Sequence, residues 1–537
     1  MMNGFLRRKR YHVQAIALLA VVSALFVGCK YKGNIQTETS YGTLLGNRDD
    51  QVTRFLGIPF AAPPVGELRW ADPQPPAHWE GVRDATWFGH ACNQTVPLLP
   101  VRSPGREDCL TLNIWAPNTP GPHPVMFWIH GGAGMIGSAN EIQYDGAKLA
   151  AAQNVVVVSA NYRLWGWGLL ALPELGSRPR IKGNQAIKDL IMALQWVQGD
   201  IHHFGGDPDN VTVFGESAGA YNTCALLATP KTLEPRLFHK AILQSGVCDT
   251  LAIRTRAESE AEGLRMIEKM GCMEADEPLD CARSKTAARI RGTTPTNIIK
   301  ALNMSFSEWP FGLTIDGDLF PKHPLQLLAE LERPDTPILL GTNKDEGSLF
   351  TALMIHPRAE YYEDVVARRY PDASERLLEL YSVENYVSTG AAQAQIRSDI
   401  IMNCPSLRMA RIYSHQNPVW LYHFTYDVKS VFQPLARTLL GRNSAPMGTF
   451  HATDLGFIFD TPLLTSVNRE TDLVVKHFFQ QAWGNFARTG NPNDGLMPPW
   501  ENFDPTRDNY LSLNEDPSNL EGFRAGYCDY WLDPSTP

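Results

Sequence analysis

A serine, an acid and a histidine that could share one nucleophilic reaction occur in this chain in that order. The serine is Ser217, in Val211-Thr212-Val213-Phe214-Gly215-Glu216-Ser217-Ala218-Gly219-Ala220, where an apolar β-rich run meets G-x-S-x-G and continues into the helical pattern Ala220–Leu227. A serine hydroxyl is a poor nucleophile at neutral pH. It has to be exposed, relieved of its proton by a base and set beside donors for an oxyanion. A tight strand-to-helix turn does this: without Cβ atoms at Gly215 and Gly219, strand and helix approach closely and leave Ser217 at the apex, above the helix N-terminus. A plain βα turn is the ordinary alternative for the same spacing.

The acid and the base follow the serine in hydrolase order. Asp345 and Glu346 stand at the end of the apolar strand Pro337–Gly341, and active-site groups of open α/β sheets gather at strand C-termini. Spacing does not choose between them. Five histidines come later: His356, His415, His423, His451 and His477. His356 is too near the acid, His415 and His477 lie in helical patterns, and His423 lies in the strand Val419–Phe424. His451 lies in the loop-like stretch Pro446–Phe459. The donors come from an earlier piece, where the strand Val125–Ile129 runs into His130-Gly131-Gly132-Ala133-Gly134. At a glycine-rich turn backbone N–H groups can point inward, so this H-G-G-x turn reads as an oxyanion hole.

The elements that must position these groups alternate as a doubly wound sheet requires. Val155–Ala160 is a fully apolar strand, and Asn184–Gly199 is a helix with Ile187, Leu190, Ile191, Leu194 and Val197 on one face. Residues 204–210 read as a turn that delivers the Ser217 strand, Lys240–Gly246 as a further strand end, and Leu473–Ala487 as a C-terminal helix. Residues 57–80 are proline-dense and read as an irregular surface wrap, while 254–310 and 357–413 are charged and mainly helical. With 44% hydrophobic and 20% charged residues, the chain of 537 buries an ordinary globular core. The net charge of −9 argues against nucleic acid and against an electrostatic hold on anionic lipid. No C-x-x-C or clustered histidine spacing points to a metal, and no metal or organic cofactor is expected.

These pieces together resemble the type B carboxylesterase/lipase family, the α/β-hydrolase group that includes cholinesterases, fungal lipases and bacterial nitrobenzyl-type esterases. The likeness runs from Tyr41-Gly42 through Phe55-Leu56-Gly57-Ile58-Pro59-Phe60-Ala61 to Cys528. The resemblance implies an α/β-hydrolase fold with a large, mostly parallel sheet and helical insertions. It implies the triad Ser217, Glu346 and His451, with Asn343-Lys344-Asp345-Glu346-Gly347-Ser348 matching the family's acid turn. The N–H groups of Gly132, Ala133 and Ala218 become the oxyanion donors, each worth ~3 kcal/mol in the transition state. Glu216, Ser245 and Asp454 take supporting positions. The family often has an aromatic where Gly134 stands, which predicts a more open wall here. Three disulfides are implied, Cys92 with Cys109, Cys272 with Cys281 and Cys404 with Cys528; Cys224 and Cys248 are left as free thiols or a fourth pair.

The N-terminus carries Arg7-Arg8-Lys9-Arg10 and a short apolar run before Cys29, the pattern of a secretory signal. Leu25-Phe26-Val27-Gly28-Cys29 resembles a bacterial lipobox, so Cys29 is the expected lipidation site, with a normally cleaved signal as the alternative. The expected organisation is a signal over 1–28, a tether over 29–40 and one hydrolase domain over 41–537, with the polar, turn-rich residues 30–52 read as tether and entry strand. Loss of the four cations in the signal takes the net charge from −9 to −13. The expected protein is exported to the periplasm or outer membrane on a lipid anchor, of unspecified oligomeric state. Its expected substrate is a small uncharged carboxylic ester, short- to medium-chain or aryl. Lipase, amide or carbamate hydrolase and non-catalytic binding protein are the rival readings on this fold. Cholinesterases hold the choline cation with a tryptophan in the first disulfide loop, and residues 93–108 have none, so a quaternary ammonium substrate is not expected.

Overall fold

The computed structural model describes residues 33–94, 105–293, 311–352, 359–429, 447–461, 469–495 and 498–533. Cys29 and the expected signal lie outside them. Thirteen strands of the described residues join in one sheet. Its order runs Gly33–Thr39, Gly42–Arg48, Val52–Pro59, Thr111–Pro117, Val156–Ala160, His123–Ile129, Gly206–Glu216, Lys240–Gln244, Ile338–Asn343, Val419–Phe424, Tyr510–Leu513 and Ser518–Leu520. Val82–Asp84 pairs with Gly42–Arg48 at the edge. The six strands from Val156–Ala160 to Val419–Phe424 in this order are mutually parallel, and they bring the end of Gly206–Glu216 between the glycine turn and the acid turn. This is the α/β-hydrolase architecture.

Alternation along the central strands builds two cores. Val125, Phe127, Ile129, Val211 and Val213 face one side, where Ile187, Leu190, Leu194 and Val197 of the helix Gln185–Asp200 cover them. Met126, Trp128 and Phe214 face the other, against Phe479, Ala482, Trp483 and Phe486 of the helix Glu470–Thr489. Successive side chains of a strand point to opposite faces, so both helices follow from one apolar run per strand.

One expectation gains its bounds and one changes. The entry strand expected within residues 30–52 is Gly33–Thr39, which pairs antiparallel with Gly42–Arg48 along its whole length. Ile35 packs on the core, and Ser40 N–H donates to Asp200 Oδ1 at 2.6 Å, which fixes the hairpin turn to the helix beneath it. The stretch read as a turn at 204–210 belongs to the strand from Gly206, where the ladder with His123–Ile129 shifts register between Gly206 and Val211. A bulge of this kind carries polar, turn-forming residues inside a strand.

Cys92–Cys109, Cys272–Cys281 and Cys404–Cys528 are disulfides, and Cys224–Cys248 is a fourth. The last bridge ties the helix after Ser217 to the loop after Lys240–Gln244. Residues 30–537 treated with iodoacetamide under denaturing conditions should gain no alkyl group before reduction and eight after it. Intact mass checks this, and two groups added before reduction would contradict the fourth bridge.

Candidate active site

The turn at Ser217 is built by backbone crowding. A Cβ on Gly219 would lie 2.0 Å from Ile129 O, and one on Gly215 would lie 2.5 Å from the Gly219 backbone. The strand therefore breaks directly into the helix Ala218–Ala228, with Ser217 held at φ 57° and ψ −123°. Ser217 N–H donates to Gln244 O at 2.9 Å, and Ser217 is half-buried while its neighbours are buried. Ser245, also at positive φ, anchors its own N–H on Gly341 O at 2.8 Å; its buried hydroxyl has no hydrogen-bond partner among the described residues.

The glycine turn presses on the same point. A Cβ on Gly131 would meet Ser217 Cβ at 3.2 Å and Glu216 Oε2 at 2.9 Å. Gly132 and Ala133 follow at φ 106° and 61°, and Gly132 O accepts the N–H groups of Met135 and Ile136, both at 3.0 Å. No protein acceptor takes the N–H of Gly132, Ala133 or Ala218 among the described residues. Three donors thus stand open near the serine. His130 braces the turn, donating from Nδ1 to Gly131 O at 2.8 Å and stacking on Tyr162. Burial holds its ring at about 4, so it stays neutral. Open space surrounds Gly134, where a Cβ would meet nothing within 4 Å.

Of Asp345 and Glu346, Glu346 reaches the imidazole. His451 Nδ1 donates to Glu346 Oε2 at 2.6 Å, and Glu346 Oε1 accepts the Asn343 N–H at 2.7 Å. Asp345 turns instead to the loop that carries the histidine: it accepts the Thr449 N–H on Oδ2 at 2.9 Å and donates its own N–H to Thr449 O at 3.0 Å. His451 Nε2 makes no hydrogen bond; it faces Glu216 Oε1 at 3.1 Å, which also has none. The Ser217 hydroxyl is not bonded to His451 in this state. Phe350 lies against the ring, 5.0 Å between centroids.

Among the other histidines, His423 is buried beside Thr342 Oγ1, at 3.1 Å, and burial depresses it to about 3. His477 sits on the helix Glu470–Thr489, His415 lies just past the helix Cys404–Tyr413, and His356 is outside the described residues.

Asp454 completes the surroundings of His451. It accepts from Gln244 Nε2 at 2.6 Å, and Gln244 Oε1 accepts from Trp483. Burial raises Glu216 to about 8 and Asp454 to about 6, the latter opposed by the Gln244 bond. Burial by itself would lower His451, but Glu216, then Glu346 and Asp454, outweigh it and hold the imidazole at about 9. Sequence reading gave no role to Gln244 and Trp483, which lie in plain strand and helix patterns, and quoted Asn343 only as part of the acid turn. It weighed Asp345 only as the alternative acid, not as a holder of the histidine loop. No group of three or more His, Cys, Asp or Glu side chains among the described residues is arranged to hold a metal ion, and no described helix is long and apolar enough to cross a membrane.

A half-buried serine on a strand-to-helix turn, packed against a glycine turn with open N–H donors on this sheet, is the arrangement of the α/β-hydrolases. The family model described as the carboxylesterase family matches residues 33–531. The chain belongs to the carboxylesterase family and is a carboxylic ester hydrolase. It is similar to a para-nitrobenzyl esterase of Bacillus subtilis, 35% identical over 85% of this chain and 90% of the relative. It is also similar to an acetylcholinesterase of Bungarus fasciatus, 34% identical over 96% of this chain and 88% of the relative. A liver carboxylesterase of Sus scrofa is 32% identical over 92% of each chain.

A carboxylate near an imidazole stabilises the cation, so removing it lowers the pKa. In protein labelled with ¹³C-histidine, the signal lost in His451→Gln should titrate above the ordinary ~6.5 and move to lower pH in Glu216→Gln. A wild-type midpoint at or below that value would contradict the arrangement.

Proposed function

We propose that the protein hydrolyses uncharged carboxylic esters, short- to medium-chain or aryl, through an acyl-enzyme on Ser217. The observation that carries this reading is the 2.6 Å bond from His451 Nδ1 to Glu346 Oε2. It fixes the imidazole so that Nε2, the nitrogen away from the acid, is the one that exchanges a proton with Ser217, in the fraction of molecules whose ring is neutral. His451 takes the Ser217 proton as Oγ bonds to the acyl carbon. The carbonyl oxygen becomes an oxyanion, held by the N–H groups of Gly132, Ala133 and Ala218. His451 then returns the proton to the departing alkoxide as the ester C–O bond breaks. Water repeats the sequence against the acyl-serine and frees the acid. Glu346 orients His451 and stabilises its cation throughout.

Asp345 serves a separate purpose in this scheme, holding the loop at Thr449. Glu216, Ser245 and Asp454 shape the field and the packing around the reacting groups. The absence of tryptophan from 93–108 favours an uncharged ester over the quaternary ammonium ester of the acetylcholinesterase relative. We also read the chain as exported and lipid-anchored through Cys29, a reading that the four disulfides favour on its first point.

Residues 30–537 assayed on p-nitrophenyl esters from acetate to palmitate should peak at short chains, with Ser217→Ala inactive. Glu346→Gln should cut kcat by about 10⁴-fold, as loss of a triad carboxylate does. Asp345→Asn should lose far less. Equal or reversed losses would overturn the acid assignment, and a folded wild type inactive on every ester would overturn the reading.

A further inference from the structure

Beside the open N–H donors lies a cavity whose walls include Ala133 and Ala218, together with Trp165, Leu169, Leu251 and Phe311. Of the groups in the proposed mechanism only Ala133 and Ala218 line it; Ser217, Gly132, His451 and Glu346 are not among its walls in the described residues. That asymmetry assigns its contents. The leaving oxygen of an ester has to reach His451 Nε2, whereas the acyl chain extends from the carbonyl on the opposite side. A cavity bounded by Ala133 and Ala218 and not walled by the histidine therefore takes the acyl chain.

The polar groups on its walls are already engaged. Tyr162 Oη donates to His130 O at 2.8 Å, and Tyr221 Oη donates to Ala252 O at 2.9 Å. Arg163 is paired with Asp189 through two bonds of 2.7 and 2.8 Å. An occupant gains nothing from these groups by being charged, and apart from Asn222, whose side chain bonds Tyr162, the remaining side-chain wall is aliphatic and aromatic. Trp165 is the largest part of it. The indole is buried and meets Phe311 edge to face, 5.6 Å between centroids. Its backbone stands at φ 48°, a conformation that favours glycine, and its N–H donates to Gly134 O at 2.8 Å. A tryptophan is thus held in a glycine-type position and fastened to the same turn that supplies the oxyanion donors.

We propose that Trp165, backed by Phe311, is the end wall of the acyl pocket and sets the upper limit on acyl length, selecting short uncharged aliphatic acyl groups. This rests on the ester-hydrolase mechanism above. Hydrophobic pockets discriminate by roughly 10- to 200-fold per methylene, so opening the wall should be readily visible.

The test compares kcat/KM on p-nitrophenyl acetate, butyrate, hexanoate and octanoate for wild type, Trp165→Gly, Trp165→Phe and Phe311→Ala. Glycine suits the left-handed backbone at this position. The octanoate-to-acetate ratio should rise at least tenfold in Trp165→Gly and in the same direction, by less, in Phe311→Ala. In all variants the preference among acetate esters of methanol, butanol and benzyl alcohol should stay within twofold. If Trp165→Gly does not fold, Trp165→Phe and Phe311→Ala decide. An unchanged chain-length profile, or a shift in alcohol preference instead, overturns the proposal. A folded wild type that cleaves no ester strikes the mechanism itself, a result distinct from an active enzyme with an insensitive profile.

Discussion

The space between Ile129 O and Gly219 Cα is too small for a side chain of any kind. That close approach lets the helix Ala218–Ala228 start directly on the strand Gly206–Glu216, and it fixes where Ser217 must be. The glycine turn after Ile129 is in turn pressed onto Ser217, because Gly131 has no Cβ to hold it off. The proposed nucleophile and the proposed oxyanion donors are therefore placed by one packing constraint between two neighbouring parallel strands, Gly206–Glu216 and His123–Ile129. Electrostatic preorganisation of this kind is effective because the donors need not move as charge develops.

The histidine is positioned by a second, independent arrangement. Its loop arrives from beyond the strand Val419–Phe424 and is clamped on both sides of the acid turn, by Asp345 to the Thr449 backbone and by Glu346 to the ring. Consecutive acids thus divide two tasks. Three carboxyl groups, those of Glu216, Glu346 and Asp454, surround one imidazole in a buried space. Burial disfavours the ionised carboxyl groups of Glu216 and Asp454, and both are raised for that reason. The bond network through Gln244 and Trp483 partly offsets this for Asp454 and ties the cluster to the helix Glu470–Thr489 on the far face of the sheet.

The legible parts of this design were the local ones. The elbow at Ser217, the H-G-G turn, the parallel strands and the helix after Asn184 each declare themselves within a short window of apolar periodicity and glycine placement. Val211–Gly219 is an example, where one run states strand, turn and helix. Interactions between distant segments left no such trace. Spacing alone could not choose Glu346 over Asp345, since only the family likeness separated them, and nothing near Gln244 announces a bond to Asp454. The strand Gly33–Thr39 was legible only as an entry strand without bounds, because it is polar and lies at the sheet edge, with Ile35 as its main apolar contact. Cys224 and Cys248 pair because the helix and the following loop meet in space, and their sequence context gives no sign of it.

The central claim is that Ser217 is the nucleophile and that His451 activates it. Reaction with diethyl p-nitrophenyl phosphate tests both, because the phosphoryl group stays on an activated serine and can be located by peptide mass spectrometry. The account predicts one adduct per chain, on the peptide carrying Ser217, formed at least a hundredfold more slowly in His451→Gln. An active protein labelled at another residue, or labelled equally fast without His451, would contradict it.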